Sequence, residues 1–175
     1  MKSPFLQHCD PGTPRERRVL LAVFLVGVVL VALDQATKFL VVKNIPFATL
    51  HPVIPGFFDL TFILNKGAAW GLFRQWPWFP LTISIVVFFL ALLFFRKLCE
   101  GWPERCLAVA MILSGIVGNC ADRFLRGAVV DFLRFYWKEW SWPSFNVADS
   151  AICCGVFLFI LSVILRPERK NDDAS

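Results

Sequence analysis

Histidine is almost missing from this 175-residue chain, which has only His8 and His51, in different segments. Two such distant rings assemble neither a zinc site nor a serine–histidine pair, and no HExxH helix is present. No Ser-Lys arrangement stands near a helix end, and Ser150 has no base in its own motif. Charged residues are scarce at 18%. No stretch interleaves aromatic with basic side chains, which argues against nucleic acid as a partner. The six cysteines (Cys9, Cys99, Cys106, Cys120, Cys153 and Cys154) include no CxxC pair. They fall in apolar runs or on the side inferred to be cytoplasmic, so small buried hydrophobes are expected there rather than a disulfide framework or a metal site.

Apolar side chains are abundant: 57% of the chain is hydrophobic, with 19 Phe and 7 Trp. A soluble domain of this length carries less, so a single membrane domain is expected. Four segments approach the length that crosses ~30 Å of hydrocarbon. The expected fold is an all-α polytopic membrane protein with spans at 19–42, 79–95, 106–126 and 145–165. Tails at 1–18 and 166–175 and a loop at 96–105 lie on one side, and segments 43–78 and 127–144 on the other. The first span is long, continues through Asp34 and Lys38 and lacks a small-residue cleavage site, so it reads as a retained helix rather than a signal peptide.

Basic residues orient the chain. Ten of them, Lys2, Arg15, Arg17, Arg18, Arg96, Lys97, Arg105, Arg166, Arg169 and Lys170, fall on the tail side, against six on the other: Lys43, Lys66, Arg74, Arg126, Arg134 and Lys138. This excess places both termini in the cytoplasm. The formal net charge of +5 then reads as topology and attraction to lipid headgroups.

Polar residues converge on one depth. Asp34 lies fifteen residues beyond Val19 and Asp122 sixteen beyond Cys106, which puts each ~22–24 Å across at 1.5 Å per residue. Asp149 precedes Leu165 by sixteen on a helix running back, and Asp131 follows an expected break at Gly127. A carboxylate at this depth is expensive unless it is paired or put to use. Asn119, Asp122 and Arg123 share one helical face, as do Asn146 with Asp149 and Asp34 with Lys38. Beyond the spans, 57–64 reads as a short strand pair or interfacial β element. Residues 132–142 read as an amphipathic interfacial segment, either an aromatic belt or a cover over substrate.

Five motifs in series carry a resemblance. They are Asp34-Gln35-Ala36-Thr37-Lys38, Asn65-Lys66-Gly67-Ala68-Ala69-Trp70-Gly71, Gly115 to Arg123 with Asn119 and Asp122 inside it, Val130-Asp131-Phe132, and Phe145-Asn146-Val147-Ala148-Asp149-Ser150. Together they resemble the bacterial lipoprotein signal peptidases, also called signal peptidase II, from about Val19 to Leu165. Ser114 stands where the family usually has a glycine, and a small hydroxyl residue should still allow close helix packing. The two tails match nothing specific.

The resemblance implies an aspartic endopeptidase of the bacterial cytoplasmic (inner) membrane, with its site near the extracytoplasmic face. It would cut prolipoproteins before the cysteine that bears diacylglycerol. It implies Asp131 and Asp149 as the catalytic pair, with Asn119, Arg123 and Asn146 holding substrate or ordering the pair. Asn65 heads a turn in which Gly67 and its small neighbours let the peptide or its lipid-bearing cysteine approach closely. Spacing alone could equally nominate Asp122 with Asp149. The chemistry favours Asp131, because Asp122 is followed by Arg123 and reads as a permanently paired carboxylate, whereas Val130 and Phe132 flank Asp131 with apolar surface. Asp34 and Lys38 read as a structural ion pair. Partners are prolipoprotein substrate and membrane lipid, the chain acts as a monomer, and the chemistry requires no cofactor or metal. The alternatives are a small proton-coupled carrier, which predicts repeated halves that the sequence does not show, and a four-helix accessory subunit.

Overall fold

The computed structural model describes residues 11–67, 76 and 78–166. The elements run α1 (Pro14–Asn44), β1 (Leu50–Ile54), β2 (Phe58–Asn65), α2 (Trp78–Leu93), α3 (Phe95–Cys99), α4 (Pro103–Arg126), β3 (Val129–Trp137), β4 (Trp140–Ser141) and α5 (Val147–Leu165). Proline occupies the first turn of α1 and of α4, where its missing N–H removes no helical bond. The Thr13 hydroxyl caps α1 by accepting the Glu16 N–H at 3.2 Å. Gly127 ends α4 with a φ of 72°, a left-handed turn that suits glycine. The break foreseen at this residue therefore has a backbone cause.

Among the described residues, α1, α4 and α5 are long and apolar enough to cross a bilayer. Helix α2, an apolar helix of 16 residues, stands where the second span is expected at 79–95 and is shorter than those three. Helix α1 starts at Pro14, ahead of the expected residue 19, and α4 starts at Pro103 rather than at Cys106. Large apolar side chains such as Phe24, Val29, Phe157 and Ile164 point outward, as lipid-facing surfaces do.

Helices α4 and α5 form the closest pair, with α1 packed on α4. Glycine makes that closeness possible. A Cβ on Gly115 would collide with the Ala148 carbonyl oxygen and with Ile152; one on Gly155 would lie 2.7 Å from the Ala108 carbonyl oxygen. At Gly118 it would lie 2.5 Å from Asp34 Oδ2, so α1 too is admitted by a missing side chain. Ser114 sits outside this seam, buried with its hydroxyl donating to the Met111 carbonyl at 2.8 Å.

The segments that follow α1 and α4 join in one antiparallel sheet of order β1-β2-β3-β4. Residues 57–64 supply a single strand, β2, which pairs with β1 and β3 rather than with itself. Segment 132–142 forms most of strand β3 and a tight return through β4. The first half of β3 is buried on both faces. Val130 and Phe132 join Val41 of α1 in a core, so the alternation that marks a strand is lost there. Asp131 therefore rides on a strand wedged against the helices.

The seam yields a test. Gly115→Leu should cost about 1–3 kcal/mol by overpacking α4 against α5. Gly27→Ala, whose new Cβ would lie 4.0 Å from the Ala110 oxygen, should be close to neutral. Equal unfolding midpoints for both variants in detergent would contradict the packing.

Candidate active site

The site begins with a buried cation. Lys38 is fully inaccessible, and its Nζ lies 2.9 Å from Asp34 Oδ2, 2.9 Å from Asp122 Oδ2 and 3.2 Å from Asn119 Oδ1. Buried charges each cost several kcal/mol unless their bonding capacity is filled, and here it is. Asp34 Oδ1 accepts the Ala148 N–H at 2.9 Å. Asp122 Oδ1 takes Arg126 Nη1 at 2.5 Å, and its Oδ2 takes the Val130 N–H at 3.0 Å. One cluster thus ties α1 to α4, to the start of α5 and to the start of β3.

Arg123 is not the partner of Asp122. Consecutive residues on a helix face different directions, whereas i and i+4 share a side. Arg126 holds that place, and its i+4 spacing from Asp122 would have revealed it in the sequence. Arg123 instead donates to the Gly67 carbonyl at 3.2 Å and, more weakly, to the Asn119 carbonyl at 3.4 Å. Gly67 in turn gives its N–H to Asn65 Oδ1 at 3.0 Å. The remainder of that motif, 68–71, lies outside the described residues, as do His8 and Cys9. His51 is exposed on β1, beside the Thr49 hydroxyl.

Three amides connect the cluster to two further carboxylates. Asn146 caps α5: its Oδ1 accepts the Asp149 N–H at 2.9 Å, and Asp149 Oδ2 accepts the Asn146 N–H at 3.2 Å. Asn146 Nδ2 also reaches Asp131 Oδ1 at 2.8 Å and Asn119 Oδ1 at 3.2 Å. Asn65 Nδ2 donates to Asp131 Oδ2 at 3.0 Å, and Asn119 Nδ2 to Asp149 Oδ1 at 2.7 Å. Asp131 and Asp149 therefore meet around one asparagine, although eighteen residues separate them in sequence. Asp122 faces away, into the ion cluster.

Burial drives the Asp131 carboxyl upward, the charge of Asp149 adds to this, and the Asn65 and Asn146 bonds oppose it, leaving it at about 7. Both carboxylates line a cavity of about 430 Å³ together with Asn65, Gly67, Asn119 and Arg123. Trp142 to Phe145 form one wall, and Ile152 and Cys153 of α5 another. Among the described residues, no three His, Cys, Asp or Glu side chains are grouped to hold a metal. Cys99 and Cys106 are buried as expected of small hydrophobes, whereas Cys153 and Cys154 lie exposed on the apolar surface of α5.

The apolar helices thus enclose two inward carboxylates bridged by amides. Residues 26–165 match the family described as Signal peptidase (SPase) II. The chain belongs to this family of aspartic peptidases and is an integral membrane protein. It is 43% identical to the lipoprotein signal peptidase of Syntrophotalea carbinolica over 149 residues, which cover 83% of this chain and 90% of that one. The lipoprotein signal peptidase of Bacillus pumilus is 36% identical over 154 residues, covering 87% and 98%. A bacterial membrane enzyme solved by the in meso method at 2.3 Å resolution superposes with a TM-score of 0.78 at 28% identity, covering 94% of this chain and 98% of that one.

The raised Asp131 carboxyl is measurable. Infrared spectra of protein labelled at aspartate should show a protonated-carboxyl band that disappears as the pH rises through about 7 and is absent from Asp131→Asn. A band titrating near the ordinary value of 3.8 would contradict the burial argument.

Proposed function

We propose that this chain removes signal peptides from prolipoproteins, cutting before the diacylglyceryl-modified cysteine with water activated by Asp131 and Asp149. One observation carries the reading: Asn146 holds both carboxylates at once, through its side-chain amide to Asp131 and its backbone N–H to Asp149. The names of the relatives supply the substrate class.

Two carboxyls on one cavity divide the work. The ionised one takes a proton from water as the oxygen bonds to the scissile carbonyl carbon, and the protonated one donates to the carbonyl oxygen. The tetrahedral intermediate then releases the amine without an acyl-enzyme. Arg123 is held by two backbone carbonyls and, among the described residues, has no carboxylate bonded to it, so its remaining N–H groups suit a peptide carbonyl. Asn65 and Asn119 order the carboxylates, and Gly67 leaves room beside Asn65.

The membrane supplies much of the affinity. Signal helix and acyl chains already lie in the bilayer, so lateral diffusion brings them to the cleft without moving apolar surface out of water. Trp137, Trp140 and Trp142 are exposed beside the sheet, as in an interfacial belt. With both termini cytoplasmic, that belt and the cavity lie near the extracytoplasmic face of the inner membrane. A monomer contains every residue that the chemistry uses.

The decisive assay presents purified protein with a diacylglyceryl-modified prolipoprotein and an unmodified control, and locates the cut by mass. Cleavage should occur only in the modified substrate, immediately before its cysteine. Asp131→Asn and Asp149→Asn should each lower kcat by about 10²–10⁴-fold while the protein stays folded. Equal cleavage of both substrates would remove the lipid requirement, and near-normal rates in either variant would remove the dyad.

A further inference from the structure

Lys38 has no access to the cavity, and its three N–H donors are consumed by Asp34, Asp122 and Asn119. Two ion pairs would suffice to hold the helices. The third bond goes to an amide whose other end faces the candidate dyad. An asparagine amide has two orientations of nearly equal shape, differing in whether oxygen or NH2 faces a neighbour. At Asn119, Lys38 Nζ and Asn146 Nδ2 both donate to Oδ1, each at 3.2 Å. The reverse orientation would set NH2 against the ammonium and a carbonyl oxygen against Asp149. The cation, with the Asn146 amide beside it, therefore selects the orientation in which Nδ2 donates to Asp149 Oδ1, at 2.7 Å.

The two carboxylates are treated unequally. Asp149 takes that bond from an amide polarised by a cation, and a backbone N–H from Asn146. It also sits at the third position of α5, where the positive end of the helix dipole favours an anion. Asp131 lies on a strand and, among the described residues, receives only the side-chain amides of Asn65 and Asn146. We infer that Lys38 is a positioning residue for the reaction: by fixing the Asn119 amide it makes Asp149 the ionised base and leaves Asp131 the protonated acid.

The inference rests on the dyad reading above and assigns its proton transfers. Asp149 takes the proton of water as the new C–O bond forms, and Asp131 protonates the carbonyl oxygen. On collapse the C–N bond breaks, the proton on Asp149 passes to the leaving nitrogen, and the hydroxyl proton of the intermediate returns to Asp131. An Asp131 carboxyl at about 7 suits a group that must hold a proton near neutral pH.

The cluster of Asp34, Lys38, Asp122 and Arg126 carries no net charge, although the Lys38 charge itself also opposes the upward push on Asp131. The ionisable groups around Asp149 are Asp34 and Lys38 from α1, Asp122, Arg123 and Arg126 from α4, Asp131 from β3, and the Cys153 thiol one turn along α5.

Lys38→Met combined with Asp34→Asn removes one charge of each sign and keeps an acceptor for the Ala148 N–H. Assayed on diacylglyceryl-prolipoprotein, it should lower kcat about 10²-fold with KM nearly unchanged, and move the acid limb of the kcat profile up by about one pH unit. Asn119→Leu should do the same, and combining the two should add little, because both break one path. A kcat and profile like those of the wild type, or a lower rate with an unmoved acid limb, overturns the inference. If the Lys38 variant does not fold, the Asn119→Leu profile decides by the same criteria. Asp131→Asn is assayed in parallel: persistent cleavage there means that the dyad reading has failed, whatever Lys38 does.

Discussion

The ammonium of Lys38, out of reach of solvent and lipid alike, is the point on which the architecture turns. Its two carboxylate partners do more than neutralise it. Asp34 also accepts the Ala148 N–H in the first turn of α5, and Asp122 also accepts the Val130 N–H near the start of β3. Removing the cation would leave Asp34 buried without a counterion and Asp122 with Arg126 alone, a cost of several kcal/mol, and would loosen the starts of both elements that carry Asp131 and Asp149. The glycines of α4 allow this arrangement, because Asp34 fits only where Gly118 has no side chain.

A well-packed apolar trio would hold three helices at least as firmly as a buried ion cluster. What it would lack is a donor for Asn119. From Lys38 outward, each bond leaves one polar atom for the next: the Asn119 carbonyl for the cation, its NH2 for Asp149, the Asn146 NH2 for Asp131. The polar interior is thus continuous with the cavity, and the same bonds that satisfy buried atoms also orient the carboxyls. Strand β3 contributes the constraint that helices alone do not offer. It is clamped by β2 on one side and by the Asp122–Val130 bond at its start, which fixes Asp131 against α5.

Much of this was legible in the sequence, for physical reasons that differ by element. The long apolar runs announced α1, α4 and α5, since hydropathy over about twenty residues leaves few alternatives. Gly127 announced the end of α4. Helical spacing grouped Asn119 with Asp122, Asn146 with Asp149 and Asp34 with Lys38. Strand β3 was hidden because burial on both faces erases the period-two pattern, and its aromatic second half resembles an interfacial belt. The partner of Asp122 was misread because adjacency in sequence was taken for adjacency on a helix. The meeting of Lys38 with Asn119 and of Asn65 with Asp131 depends on how distant elements pack, which no local pattern encodes.

The proposed catalysis requires Asp131 and Asp149 to act as one unit. The most direct measurement is a double-mutant cycle on kcat for cleavage of diacylglyceryl-prolipoprotein with Asp131→Asn, Asp149→Asn and the pair together. Groups that share one water and one proton path lose their effect together, so the double variant should be no slower than the slower single variant. Losses that multiply would show two independent carboxyls and contradict the dyad.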